Sequence, residues 1–250
     1  MGFFSNVLGR NSREHFLALD IGTEIVKALV FRIEGGSGIV EGVGWVRQKS
    51  GNMQSGAVSD IAGVIDSCRE AILLAEEQAS AKNVRKSIVG IAGELVKGTT
   101  TTVHYERVNP EVKISLSELR MIVEKVQEKA YERIHKQLAW ETNQSEIDVK
   151  LINAAVVDVR IDGYRVTNPL NFQGRDVSMS IFNAYAPMIH LGAIESIASA
   201  LHLDLINIAA EPYAVARSVE VEDMLDFSAI FIDIGGGTTD IAVVRNGGLE

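Results

Sequence analysis

Two phrases of the chain share one pattern of apolar and polar positions. In the first, the apolar run Phe16-Leu17-Ala18-Leu19 ends at Asp20 and passes through Ile21-Gly22-Thr23 into Glu24-Ile25-Val26-Lys27-Ala28-Leu29-Val30. In the second, Ala229-Ile230-Phe231-Ile232 ends at Asp233-Ile234 and passes through Gly235-Gly236-Gly237-Thr238-Thr239-Asp240 into Ile241-Ala242-Val243-Val244. Each reads as a strand, a glycine turn and a second strand. Ile39 to Val46 predicts a third strand after the first hairpin. Val58, Ile61, Ala62, Ile65, Cys68, Ile72 and Ala75 then follow one helical face, with Ser59 placed as its N-cap. Ser87 to Ala92 is a short apolar strand ending near Gly93. A meander, a helix and a further strand make an α/β pattern.

Between Glu94 and Pro187 the character changes. The Thr99 to Thr102 run and Val103 to Val108 read as extended chain. Ser115-Leu116-Ser117-Glu118 has the form of a capping box, opening a helix with Leu119, Val123, Val126, Ala130 and Ile134 on one side. Ile152 to Ile161 and Tyr164 to Val166 are β-runs joined by Asp162-Gly163, the composition of a type I′ turn. Val177 to Ala184 is a last strand, and the stretch reads as a small α+β insert. Beyond it Ile189 to Leu201 has helical spacing, Leu205 to Ala209 is a strand, and Glu211-Pro212 opens a helix, where proline suits the first turn. The expected division is a flexible start over 1–14, a first domain over 15–93 and 188–226, the insert over 94–187, and the start of a second domain over 227–250.

Composition narrows the classes. The 250 residues are 46% hydrophobic and 23% charged, as in an ordinary globular protein. A net charge of −9 argues against bulk binding to nucleic acid or anionic lipid. The single cysteine, Cys68, excludes an internal disulfide and falls on the apolar helix face, where a buried inert thiol is expected. His15, His104, His135, His190 and His202 show no metal-ligand spacing. No apolar run reaches the roughly 18 residues of a membrane span, and a cytoplasmic location is expected. Phe3, Phe4, Val7 and Leu8, beside Arg10 and Arg13, read as a disordered or core-docked start in preference to an interfacial foot.

The two glycine phrases carry the chemistry. Glycine lets turn N–H groups approach anionic oxygens, so Gly22, Gly235, Gly236 and Gly237 suit phosphate contacts, with Thr23, Thr238 and Thr239 adding hydroxyl donors. Asp20 and Asp233 offer hard oxygens suited to Mg²⁺, reached through its retained waters. A plain hairpin has no need of three consecutive glycines. Two such hairpins facing each other would clamp a triphosphate.

These paired phrases resemble the phosphate-1 and phosphate-2 hairpins of the actin, Hsp70 and sugar-kinase superfamily. Ala209-Ala210-Glu211-Pro212-Tyr213-Ala214 resembles that superfamily's Glu-Pro-x-Ala connector. The resemblance implies an actin-like (ribonuclease H-like) ATPase fold, ATP and Mg²⁺ as cofactors, and a carboxylate at Glu211 near the attacking water. The alternative is that Glu211 merely caps its helix. Within the superfamily the sequence looks most like the FtsA-type cell-division proteins. Gly42-Val43-Gly44, Gly51 through Gly56, Ser87-Ile88-Val89-Gly90-Ile91-Ala92-Gly93, and Asp162-Gly163-Tyr164 with Asn168-Pro169 and Gly174 follow that family's order. The insert then corresponds to its SHS2-like (1C) subdomain, which actin, MreB and Hsp70 do not place there.

That resemblance implies an ATP-binding scaffold that polymerises, links FtsZ filaments to the inner face of the cytoplasmic membrane at the division site, and meets other division proteins through the insert. Hydrolysis would be at most slow. Two departures stand out. Glu24 follows Thr23 where relatives often carry a small or neutral residue, and would repel a phosphate unless strand alternation turns it away. Second, the sequence ends at Glu250, so the adenosine-binding glycines, the FtsZ-binding face and a C-terminal amphipathic helix are expected outside it, with poor nucleotide affinity for this chain. Lys27 reads as a solvated strand residue. Two other functions fit the superfamily: a PilM-type adaptor of type IV pilus assembly, and a small-molecule kinase, for which the insert offers no evident carboxylate–hydroxyl constellation.

Overall fold

The computed structural model describes residues 11–142, 148–219, 227–245 and 248–249. The apolar start around Phe3, Phe4, Val7 and Leu8 lies outside the described residues. In chain order the strands and helices are β1 (Asn11–Ile21), β2 (Ile25–Glu34), β3 (Ser37–Arg47), β4 (Met53–Gln54), β5 (Ala57–Val58), α1 (Ile61–Gln78), β6 (Lys86–Ile91), β7 (Lys97–Glu106), α2 (Leu116–Thr142), β8 (Val149–Ile161), β9 (Tyr164–Arg165), β10 (Asp176–Pro187), α3 (Met188–Ala200), β11 (Asp204–Ala210), α4 (Glu211–Ser218), β12 (Ala229–Ile234), β13 (Thr239–Arg245) and β14 (Gly248–Leu249). A 3₁₀ turn, Gly93–Leu95, follows β6.

The chain divides into two compact units. One takes the segment up to Leu95, Met188–Glu211 and Asp233–Asp240; the other takes Val96–Pro187, Pro212–Ile232 and the segment from Ile241 on. The first unit is built on a five-stranded sheet in the order β11-β6-β1-β2-β3. β1, β2 and β3 form the antiparallel meander, and β6 joins β1 in parallel. Register places the buried pairs Leu17 with Val30, Leu19 with Ala28 and Ile21 with Val26 on one face. Against the sheet lies α1, burying Val64, Cys68, Ala71, Ile72 and Ala75. Gly42 and Gly44 let the helix approach: a methyl group at either would collide with the carbonyl oxygen of Ala75 or Ala71.

Two local expectations are corrected. α1 starts at Ile61, with Asp60 as its N-cap accepting from the Ala62 N–H at 3.0 Å. Ser59 is therefore not the cap, and Val58 belongs to the β4–β5 ribbon instead of the helix face. The backbone N–H groups of Ser59 and Asp60 both donate to the Asn52 carbonyl, which holds this stretch outside the helix. β1 begins at Asn11 and pairs there with Glu34, so extended structure reaches into the stretch read as a flexible start.

The second unit contains a four-stranded antiparallel sheet in the order β7-β10-β8-β9, with α2 across it. Its core joins Ile122 and Val126 of α2 to Val159, Ile161, Val177, Met179 and Ile181. Further along, Ala130, Ile134 and Leu138 pack with Val149 and Tyr185. The capping box forms as expected at Ser115, whose hydroxyl accepts from the Glu118 N–H at 3.2 Å. Asp162 and Gly163 both take left-handed φ, 49° and 85°, which a type I′ turn requires. Asp162 then accepts from the N–H groups of Arg175 (3.0 Å) and Asp176 (2.8 Å), and Asn168 accepts from Leu170 at 3.1 Å. The Asp-Gly and Asn-Pro residues of this passage thus fix its loops. Arg107 sits at their centre, 3% exposed, donating to Glu118 through Nε and Nη2 and to the carbonyls of Gly174 and Val112. Cys68 in the first unit is fully buried, and desolvation pushes its thiol up to about 12, as an inert core residue.

Candidate functional site

The strand ends of the first unit bring both glycine phrases to one cavity of about 210 Å³. Its lining includes Asp20, Gly22 and Thr23 from the first phrase, and Asp233, Gly235, Gly236 and Thr238 from the second. Glu211, from the start of α4, completes the set at the end of β11. Of the residues named from sequence, Gly237 and Thr239 are not in that lining. Gly237 instead stands against Thr23, where an added Cβ would lie 3.0 Å from the threonine methyl.

The turns approach each other closely, and this explains the run of glycines. A Cβ at Gly236 would collide with the Cβ and Cγ of Glu24. Gly235 N–H donates to the Thr238 carbonyl at 2.9 Å, closing the second turn. In the first turn, Thr23 Oγ1 accepts from the Gly56 N–H at 3.1 Å, which leaves its own hydroxyl proton to donate elsewhere. Asp240 Oδ2 accepts from Gly93 N–H at 3.2 Å, tying the second phrase to the end of β6.

The electrostatics are dominated by carboxylates. Asp20, Glu24, Glu211, Asp233 and Asp240 line the cavity, with Lys27 as the cation among them. Burial raises Glu211 from an ordinary 4.5 to about 8, and repulsion from Asp20, Asp240, Asp233 and Glu94 adds to the rise. Glu94 is also raised, first by burial and then by Asp240. Gly90 leaves room for Glu211: a Cβ there would lie 3.0 Å from its Oε1.

Lys27 is the solvated strand residue expected, and it also lines the cavity. Its side chain is largely solvated, yet Nζ donates to Asp20 Oδ2 at 3.0 Å. Hydrogen bonding to Asp20 raises its pKa, with Asp233 and Glu211 adding to the effect. The signal was in the register: Asp20 and Lys27 are directly paired across the first hairpin, so they share a face. Asp240, the last residue of the second phrase, also lines the cavity, as does Gly56 from the β4–β5 turn, and Glu94 after β6 acts on Glu211 electrostatically without joining that lining. Glu24 does not turn fully away. Its side chain lines the cavity, and Oε2 accepts from Arg47 at 3.2 Å.

For Mg²⁺ the donor chemistry fits: hard carboxylate oxygens converge closely enough to repel one another. Among the described residues no group of three or more His, Cys, Asp or Glu side chains is arranged to chelate a metal directly. Asp20 and Asp233, both in the lining, would hold such a cation through its own waters.

No protein-family model matches the chain. Cell division protein FtsA of Pseudomonas aeruginosa is 26% identical over 244 residues, covering 96% of this chain and 53% of the relative. FtsA of Bacillus subtilis is 28% identical over 245 residues, covering 96% and 51%. In sequence the chain is FtsA-like. Coverage this complete includes both glycine phrases and the insert between them, while the chain spans about half the length of these FtsA relatives. Among solved structures, a PilM-PilN type IV pilus biogenesis complex superposes with a TM-score of 0.60 at 16% identity, covering 96% of this chain and 60% of that one. That likeness is one of α/β fold alone. Among the described residues no helix is long and apolar enough to cross a membrane.

Proposed function

We propose that this chain supplies the phosphate-binding half of an actin-like, nucleotide-dependent scaffold of bacterial cell division. The observation that carries the proposal is the meeting of two Asp–Gly–Thr turns at one cavity, in a sequence that is FtsA-like over nearly its whole length. In this reading Gly22, Thr23, Gly235, Gly236 and Thr238 hold the phosphates of ATP, while Gly237 keeps the second turn close to Thr23. Lys27 adds positive charge beside Asp20. A site with five carboxylates and one ammonium in its lining takes a polyanion only with a cation. Mg²⁺, bound through Asp20 and Asp233, supplies the charge that offsets this repulsion.

Glu211 is the residue we assign to orient the attacking water. It sits half-buried at the cavity, where desolvation first and then the surrounding carboxylates hold its proton at neutral pH. Turnover is slow switching and not metabolism. The similarity to FtsA supports self-polymerisation, a link to FtsZ at the inner membrane face, and contacts through the Glu94–Pro187 stretch to other division proteins.

Calorimetric titration with Mg²⁺ and inorganic tripolyphosphate tests the core of this reading. The wild-type chain binds, and Gly236→Ala, which forces a methyl into Glu24, weakens binding at least about tenfold. Equal binding by both proteins would sink the two-turn cradle. A second reading, a pilus-assembly adaptor, is favoured by the superposition on the PilM-PilN complex. Pull-down by the protein separates the two: an FtsZ C-terminal tail peptide is retained in the first case, a PilN N-terminal peptide in the second.

A further inference from the structure

Among the carboxylates lining the cavity, Glu24 is the one the second glycine turn makes room for. Its backbone is fixed, because its carbonyl accepts from the Gln48 N–H at 2.8 Å. Its Cβ and Cγ occupy the space that a side chain at position 236 would need. The carboxylate is about half exposed and reaches Arg47 Nη2 at 3.2 Å, a guanidinium that is itself mostly solvated. Lys27 is engaged with Asp20, and Glu24 pairs with Arg47 in a weak surface contact. A negative charge thus stands at the meeting point of the two turns with only partial compensation.

We propose that Glu24 is a specificity-determining residue that makes the cavity discriminate between free polyphosphate and its complex with a divalent cation, with Arg47 as its screening partner. The inference rests on the phosphate-binding reading above. The physical cause is simple Coulomb repulsion. A fixed charge beside the phosphates penalises the metal-free polyanion more than the cation complex, whose net charge is smaller. Arg47 reduces that penalty without touching the ligand. The glycine at 236 and the Glu24–Arg47 contact then belong to one device: the turn must be bare for the carboxylate to stand where it acts.

Glu24→Gln keeps the shape of the side chain and its packing on Gly236 while removing the charge. The experiment is calorimetric titration of the 250-residue chain with inorganic tripolyphosphate, once with excess Mg²⁺ and once with EDTA. Wild type binds the Mg²⁺ form more tightly than the free form. In Glu24→Gln that ratio narrows by about fivefold, chiefly through better binding of the free form. Arg47→Gln widens the ratio, and the double variant behaves like Glu24→Gln, because Arg47 acts through Glu24. A merely structural role for Glu24 would move both affinities together and leave the ratio unchanged. That outcome, with binding otherwise intact, overturns the assignment of Glu24 but leaves the cradle standing. Absence of binding by wild type and Glu24→Gln in both conditions overturns the phosphate-binding reading itself, and this inference with it.

Discussion

Glu211 is the residue on which the acidity of the cavity converges. Its carboxyl lies beside Gly90 at the end of the central sheet, with burial and then Asp20, Asp240, Asp233 and Glu94 raising its pKa to about 8. A group whose folded-state pKa lies above its unfolded value binds more protons when folded. Its contribution to stability is full below about pH 4.5 and is lost as pH rises through about 8. Glu211→Gln removes that dependence. Chemical denaturation should show the variant gaining on the wild type between pH 5 and pH 8, by on the order of 2–4 kcal/mol at the upper end. A constant difference across that range would mean that Glu211 is not held protonated by its surroundings. Asp20 and Lys27 make a different point at this scale. Their pairing was readable from the hairpin, since counting back from the Ile21–Val26 pair sets them opposite each other. Glu94 was not readable, because nothing local ties the turn after β6 to Asp240 and Glu211, with which it interacts electrostatically.

At the scale of elements, patterns with a short-range cause came through and competition between neighbours did not. The Ser115–Glu118 box, the Asp162-Gly163 turn and the apolar face of α2 each depend on residues within a turn or two. The start of α1 depends on a choice between Ser59 and Asp60, two good N-caps side by side. Asn52 decides it by accepting both of their N–H groups through its carbonyl. Asp60→Ala should therefore cost about 1 kcal/mol in urea denaturation, and Ser59→Ala should stay within about 0.5 kcal/mol of wild type. The reverse order would restore Ser59 as the cap. Arg107 organises loops in the second unit that are distant in sequence. It joins the carbonyl of Val112, the carboxylate of Glu118 and the carbonyl of Gly174 around one buried guanidinium. Arg107→Met leaves Glu118 without its partner and frees both loops, which predicts a loss of about 3 kcal/mol in the same assay. Loss smaller than about 1 kcal/mol would show that the loops hold themselves.

For the whole molecule, the arrangement of the cavity makes a claim about ligand choice. Much of the fold was legible because both glycine phrases carry strong strand and turn signals and the insert between them changes character at Glu94. The extent of the ligand that the cavity accepts was not, since volume is set by how elements pack and not by any motif. At about 210 Å³, the cavity is smaller than the ~300–1,000 Å³ typical of sites that enclose a drug-sized ligand. Its lining is mostly glycine-turn residues and carboxylates, and among the described residues no aromatic side chain lines it to stack a base. Recognition by this chain should therefore reside in the phosphates alone. With Mg²⁺ present, ATP, GTP and inorganic tripolyphosphate should bind with affinities within about threefold of one another, all weaker than micromolar, because the nucleoside adds little buried surface. Competition calorimetry gives the three constants directly. A preference for ATP over tripolyphosphate of tenfold or more would mean that the chain holds the adenosine as well, and that the cavity described at the glycine turns is only part of its site.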